Sequence, residues 1–146
     1  MVSGMEVTRS GHSTYKLQYH VVWVCKYRRR ILNRGVDSYL KSVLPKLLKN
    51  IPGVQIETIG FDQDHLHMVM TIPPRHSIAS VMGKLKGQSA SLLRQKFDFL
   101  EKVYWKENIV WSPGYFVSSV GLDEQTVKNY VRNQGQNDSG QIRMDL

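Results

Sequence analysis

Hydrophobic positions along the chain fall alternately into short runs and longer helical stripes. Residues 15–25 (YKLQYHVVWVC) begin with alternation and end apolar on both faces, the pattern of a central strand covered on two sides. A basic loop follows over residues 26–34. Val36, Leu40, Val43 and Leu47, with Tyr39, Leu44, Leu48 and Ile51 beside them, then recur at the spacing of an amphipathic helix. Pro45 lies inside that stripe and should kink or break it, and Pro52-Gly53 ends it. Residues 54–61 and 65–72 read as a strand pair turned by Asp62-Gln63-Asp64, and Pro73-Pro74 stops the second strand. Ser77 is placed to cap a helix that carries Ile78, Val81, Met82, Leu85, Leu92 and Leu93 on one side. Residues 97–107 mix aromatic and charged positions without a clear period. Residues 111–120 (WSPGYFVSSV) contain one more strand, followed by Gly121. Asp123 caps a final helix expected to run to about Gln134 and to close at Gly135.

This order of elements predicts an α+β, ferredoxin-like βαββαβ unit: an antiparallel sheet with helices on one face, plus an extra C-terminal helix. Right-handed crossovers put the first and third strands in the middle of the sheet. A single domain is expected over residues 15–136, between polar ends at 1–14 and 137–146 that are expected to be loose. Such a fold hosts many functions, so function must be read from particular residues.

Composition narrows the field. No apolar run approaches the ~20 residues of a membrane span. Residues 1–13 are polar and lack a signal-peptide core, and the lone Cys25 cannot form an internal disulfide, so a cytoplasmic protein is expected. The formal net charge of +8 favours a polyanionic partner, usually nucleic acid.

Three features could carry chemistry. The first is His65-Leu66-His67. Strand alternation puts both imidazoles on one face, with Cα atoms roughly 6.6 Å apart, where they can converge on a metal ion. Two half-exposed surface histidines fit the same pattern. The second is Tyr130 with Gln134, one helical turn apart on the last helix. A packing tyrosine with a rim glutamine fits that pattern too, but a phenol is a competent nucleophile towards phosphorus when a metal polarises the phosphate. Gln134 could add an amide oxygen to the histidine pair, and this neutral set suits Mg²⁺ or Mn²⁺. The third is a basic and aromatic cluster: Lys26, Tyr27, Arg28, Arg29 and Arg30, with Lys84 and Lys86 on the second long helix. It could neutralise phosphates and stack on unpaired bases, or be a solvated charged surface. His20 reads as a core histidine, and His12 and His76 carry no signal. No glycine loop for cradling a nucleotide phosphate is visible.

Taken together, HVVWVCKYRRRIL (residues 20–32), DHLHMVM (64–70), WSPGYFVSSVG (111–121) and the Tyr-x-x-x-Gln of Tyr130 to Gln134 resemble the single-tyrosine HUH transposases of small bacterial insertion sequences that move as single-stranded DNA. The stretches occur in family order and cover most of residues 15–136. The resemblance implies a transposase that binds hairpins at the element ends. It implies that Tyr130 cuts single-stranded DNA through a 5′-phosphotyrosine and leaves a 3′-hydroxyl. It further implies that His65, His67 and Gln134 hold the metal, that no nucleotide cofactor is used, and that the protein works as a homodimer. Sites that combine the histidines of one subunit with the tyrosine helix of the other are implied as well. A dimer would also cover the sheet face and edge left open by helices on one side.

Other readings stay open on sequence alone. A replication or relaxation initiator shares the chemistry but usually carries further domains. A ferredoxin-like RNA-binding module would show aromatics on the central strands, where this chain has His65 and His67. A domesticated transposase kept as a DNA-binding regulator would retain the same residues.

Overall fold

The computed structural model describes residues 8–10, 13–15, 17–105, 107–119 and 123–145. Expectations placed on His12 and Gly121 fall outside them. Two short strands, β1 (Thr8–Ser10) and β2 (Ser13–Tyr15), pair with each other, so part of the segment expected to be loose has strand structure.

The main sheet holds β3 (Gln18–Val24), β4 (Gln55–Phe61), β5 (His65–Thr71) and β6 (Phe116–Ser118) in the order β4-β5-β3-β6, every pair antiparallel. The first and third strands of the βαββαβ unit are therefore central, as the crossover rule requires. α1 (Arg34–Leu47) and α2 (Ile78–Lys96) cover one face. Val21, Trp23 and Cys25 from β3 and Leu66, Met68 and Met70 from β5 meet Leu40, Leu44, Met82, Leu85 and Leu93 there, all buried. Burying a side chain of this size contributes about 1.5–3 kcal/mol, so this layer dominates the fold's stability.

Local signals explain most boundaries. Asn33 caps α1 by accepting from Val36 N (3.0 Å), and Ser77 caps α2 by accepting from Ser80 N (3.0 Å). α1 is not broken before Pro45 but runs through it to Leu47. Pro45 sits in the last turn, where a missing N–H costs one bond and few further turns depend on it. Residues 97–107, which have no clear period, contain a short helix, α3 (Phe99–Val103).

The largest departure is at the end of the chain. The last helix, α4 (Glu124–Asp145), does not close at Gly135 but continues through the segment expected to be a tail. Its start is as expected, with Asp123 accepting from Thr126 N (2.7 Å). α4 lies on the second face of the sheet, where Val131 packs on Val22 and Val24. The face that was expected to need a partner subunit is thus covered, in part, by the chain's own last helix.

Candidate active site

Register fixes what the second face presents. His20, Val22 and Val24 of β3 pair with Val69, His67 and His65 of β5, and alternation points all six towards α4. His65 and His67 therefore share a face, with ring centroids 6.4 Å apart. His20 is half-buried and lines the same cavity as the pair, together with Asp62, Val69, Asp123, Glu124 and Val127, so it is not a core histidine.

Each imidazole is held in place. Asp64 Oδ1 lies 2.8 Å from His65 Nδ1, and Arg28 Nε donates to Asp64 Oδ2 at 3.1 Å. The hydrogen bond to His65, followed by that from Arg28, holds the Asp64 carboxyl below the usual carboxylate range despite partial burial. The other ring nitrogen, His65 Nε2, faces Asp62 Oδ2 at 3.1 Å. His67 lies over Gly60 of β4, where an added Cβ would come within 2.3 Å of His67 Cε1. Burial, and then the neighbouring His65, push the His67 pKa down, with Asp62 opposing, which favours the neutral imidazole a metal needs. Among the described residues no three His, Cys, Asp or Glu side chains converge as a ready-made cage. Two imidazoles on one strand face, with the carboxylates of Asp62 and Asp64 beside His65, fit a divalent cation that takes its remaining oxygen donors from elsewhere.

Tyr130 and Gln134 are not brought to that pair. Phe116 of β6 and His67 of β5 both pair with Val22, one on each side of β3. The Tyr130 ring packs on Phe116, centroids 5.4 Å apart, so it sits over β6, about 10 Å across the sheet from β5. Gln134 Nε2 donates to Ser112 Oγ (2.8 Å). One turn further on, the buried Asp138 accepts from Ser112 Oγ (2.6 Å) and Tyr27 N (2.9 Å), with Lys26 Nζ at 3.5 Å. Burial, and then the charge of Asp138, push the Tyr130 hydroxyl up to about 12. In this arrangement burial favours the protonated phenol.

The basic residues divide. Lys26 is buried against Asp138. Lys86 donates to the backbone oxygens of Ser112 (2.8 Å) and Gly114, and its ammonium is pushed down to about 8 by burial. Both are committed inward rather than offered to phosphate. Lys84 is half-buried and Arg29 is exposed. Arg28 and Arg30 line a cleft of about 770 Å³ with Tyr27, Asp64, Arg132 and Gly135. Arg132 was missed in the sequence because it lies far from the basic loop, as were Asp138, Ser112 and Asp64. Gly60 carried a signal, since a lone glycine inside a strand marks close approach.

In sequence and in fold the chain is similar to known transposases. Residues 13–134 match the family model described as "Transposase IS200 like". The transposase for insertion sequence element IS200 of Salmonella typhimurium is 33% identical over 129 residues, covering 87% of this chain and 82% of the relative. The ISDra2 transposase TnpA of Deinococcus radiodurans is 27% identical over 131 residues, 89% and 92% of the two chains. Among solved structures, a Deinococcus radiodurans R1 protein assigned to the transposases superposes with a TM-score of 0.73 at 28% identity, covering 87% of this chain and 97% of that one. A REP-associated tyrosine transposase bound to a REP hairpin shares the fold, with a TM-score of 0.54 at 15% identity over 84% and 68% of the chains.

Proposed function

The chain belongs to the IS200-like transposase family, and on that premise we propose that it cuts and rejoins single-stranded DNA through Tyr130, with a divalent metal at His65 and His67. The observation that carries this reading is the pair of imidazoles on one face of β5, each with its own support, in a chain that matches the transposase family over most of its length.

Tyr130 Oη attacks a backbone phosphorus. The P–O3′ bond breaks, the 3′-oxygen leaves and takes up a proton, and a 5′-phosphotyrosine remains. A 3′-hydroxyl then attacks that phosphorus and returns the proton to Tyr130. The ester conserves the energy of the cut bond, so no nucleotide is consumed. When bound, Mg²⁺ or Mn²⁺ supplies the charge that polarises the phosphate. His65 and His67 would hold it, and Gln134 would add an amide oxygen.

Because Tyr130 packs on Phe116 of β6 and Gln134 is bonded to Ser112 here, this reading requires α4 to be delivered to a histidine pair, and a homodimer offers the partner subunit's pair. Hairpin DNA is the proposed partner, in line with the hairpin-bound relative and with the arginines of the cleft. Incubating the protein with single-stranded hairpin DNA and Mn²⁺ should give a covalent protein–DNA adduct resistant to denaturation. An adduct formed equally well on perfect duplex, or none on any single strand carrying the gene's own flanks, would refute this reading.

A further inference from the structure

We propose that His20 is a further catalytic residue, whose imidazole donates an N–H to a non-bridging oxygen of the phosphate that is cut, beside the metal and not as one of its ligands. This rests on the strand-cutting role proposed for Tyr130 and the metal role proposed for His65 and His67.

The register of two strands sets the position. His20 on β3 stands opposite Val69 on β5, and His67 stands opposite Val22, two residues further along β3. His20 is therefore the diagonal neighbour of His67 on the face that looks towards α4. Diagonal neighbours on an antiparallel pair lie about 7–8 Å apart, within reach of long side chains but not side by side. Among the described residues no three His, Cys, Asp or Glu side chains converge as a metal cage, so His20 lines the cavity of the pair without joining it. β3 also runs between β5, which carries the pair, and β6, on which Tyr130 packs through Phe116.

The ring is available. His65 faces a carboxylate on each nitrogen, Asp64 on Nδ1 and Asp62 on Nε2. No hydrogen bond or ion pair among the described residues engages the half-buried ring of His20. A half-buried polar group without a protein partner calls for another one. The other polar lining is acidic, with Asp62 beside the pair and Asp123 and Glu124 at the start of α4. Those carboxylates repel a bare phosphate, and a divalent ion at the pair offsets part of their charge. Among the described lining residues His20 is then the one side-chain donor outside the pair. An imidazole carries an N–H in either protonation state, so the contact does not depend on titration of the ring.

Attack by Tyr130 Oη pushes negative charge onto the non-bridging oxygens, and a fixed donor there gains strength in the transition state. The P–O3′ bond breaks with its electron pair on the 3′-oxygen. The proton lost by Tyr130 and the proton gained by the 3′-oxygen are exchanged with water. His20 gives a hydrogen bond, not a proton, and ends the step as it began. Because β3 and β5 share one sheet, His20 stays with the pair and serves whichever tyrosine is delivered to it.

The test compares the full-length wild type with His20→Ala on a single-stranded hairpin DNA. The scissile phosphate is either normal or a methylphosphonate of one configuration. On normal DNA with Mn²⁺, His20→Ala should form the covalent adduct about a hundredfold more slowly, the usual cost of removing one such donor. Hairpin affinity and Mn²⁺ affinity should be unchanged. On the methylphosphonate that lacks the contacted oxygen, the two proteins should react at equal rates, while on the other configuration the difference should persist. The same loss on both configurations, or a fall in Mn²⁺ affinity, would overturn the contact in favour of a packing or ligand role. A wild type that forms no adduct on normal DNA would refute the cutting reading, and the contact is then read without chemistry. In Tyr130→Phe with Mg²⁺ and ¹⁵N-labelled histidine, the side-chain signals of His20 should shift when a single-stranded hairpin carrying the gene's own flanks binds. Identical His20 signals in free and bound protein would overturn the proposal.

Discussion

The imidazole of His67 lies across Gly60 on the neighbouring strand, in the space that a β-carbon at residue 60 would occupy. The clash would be with Cε1 and Nε2, the outer atoms of the ring, so His67 must rotate away if residue 60 gains a side chain. Gly60→Ala should therefore leave the fold intact, since alanine is tolerated in a strand, but misplace one of two metal ligands. Mn²⁺ affinity is expected to drop by about tenfold or more. Isothermal titration with Mn²⁺, beside thermal melting to confirm the fold, checks this. Wild-type affinity in the alanine variant would mean that the position of His67 over Gly60 is irrelevant to metal.

Tyr130→Phe removes one oxygen and keeps the ring that packs on Phe116. Stability should change by no more than about 1 kcal/mol. Covalent attachment to single-stranded DNA should vanish while hairpin binding persists. A denaturing gel with labelled DNA reads the first and a gel shift the second. An adduct formed by the phenylalanine variant would place the nucleophile elsewhere.

The four-residue spacing of Tyr130 and Gln134 was readable in the sequence because a helix face needs only periodicity. The same arithmetic extends to Asp138, yet nothing marked it. Residues 137–146 are polar, and a polar segment normally signals a loose end. α4 continues because Asp138 finds buried partners in Ser112, Tyr27 N and Lys26, 26 to 112 positions away in the chain. Partners that distant leave no local trace. The histidine pair was legible for the opposite reason, since strand alternation alone puts His65 and His67 on one face. Where Tyr130 sits relative to them depends on how α4 packs across the sheet, which periodicity does not encode. Lys26 and Lys86 misled for a related reason. A lysine in a basic run looks solvated until its partners fold around it.

Asp138 anchors α4, so its loss should be felt twice. Asp138→Ala removes the buried carboxylate that Lys26 Nζ, Tyr27 N and Ser112 Oγ share, a change expected to cost about 3 kcal/mol. Asp138→Asn keeps the shape and removes the charge, so the Tyr130 hydroxyl should titrate below its present value of about 12, with burial still holding it above an ordinary phenol. The sign is fixed by linkage. A folded-state pKa raised from 10 to about 12 contributes stability that is complete below pH 10 and is lost as pH rises through 12. Ultraviolet titration of Asp138→Asn, with the Tyr130→Phe spectrum subtracted from a matched background, measures the shift. A midpoint unmoved by the loss of Asp138 would mean that its charge does not reach the phenol.

Exposed cleft arginines should govern salt dependence, and inward lysines should not. Replacing Arg30 and Arg132 with glutamine removes two charges that line the cleft. The slope of log affinity for a single-stranded hairpin against log salt should then flatten by about 1.4, at roughly 0.7 per lost phosphate contact on a single strand. Lys86→Gln should leave that slope alone, because its ammonium is held by Ser112 and Gly114. Fluorescence anisotropy at several salt concentrations decides between the two groups. A larger effect from Lys86 than from the arginine pair would reverse the division.

Whether the tyrosine helix serves its own histidines or a partner's can be decided by complementation. In the single chain Tyr130 packs over β6 while His67 lies on β5, so a working site needs α4 to be repositioned. Its own anchors oppose a short slide, because Gln134 is bonded to Ser112 and Asp138 to Ser112 and the Lys26 ammonium. Delivery to a partner subunit would let both ride on one helix as a unit. Two inactive variants, Tyr130→Phe and His67→Ala, are mixed under conditions where subunits exchange, with different tags to confirm the mixed dimer. If sites are shared between subunits, each mixed dimer pairs intact histidines from one chain with the intact tyrosine of the other at one of its two sites. Random exchange then makes half the dimers mixed, and roughly a quarter of wild-type sites should be restored. Were each site built within one chain, every mixed dimer would carry one site lacking its nucleophile and one lacking a ligand, and activity would stay at background. Confirmed exchange without rescue would therefore reject the shared site, while the chemistry assigned to Tyr130 would still rest on its own test.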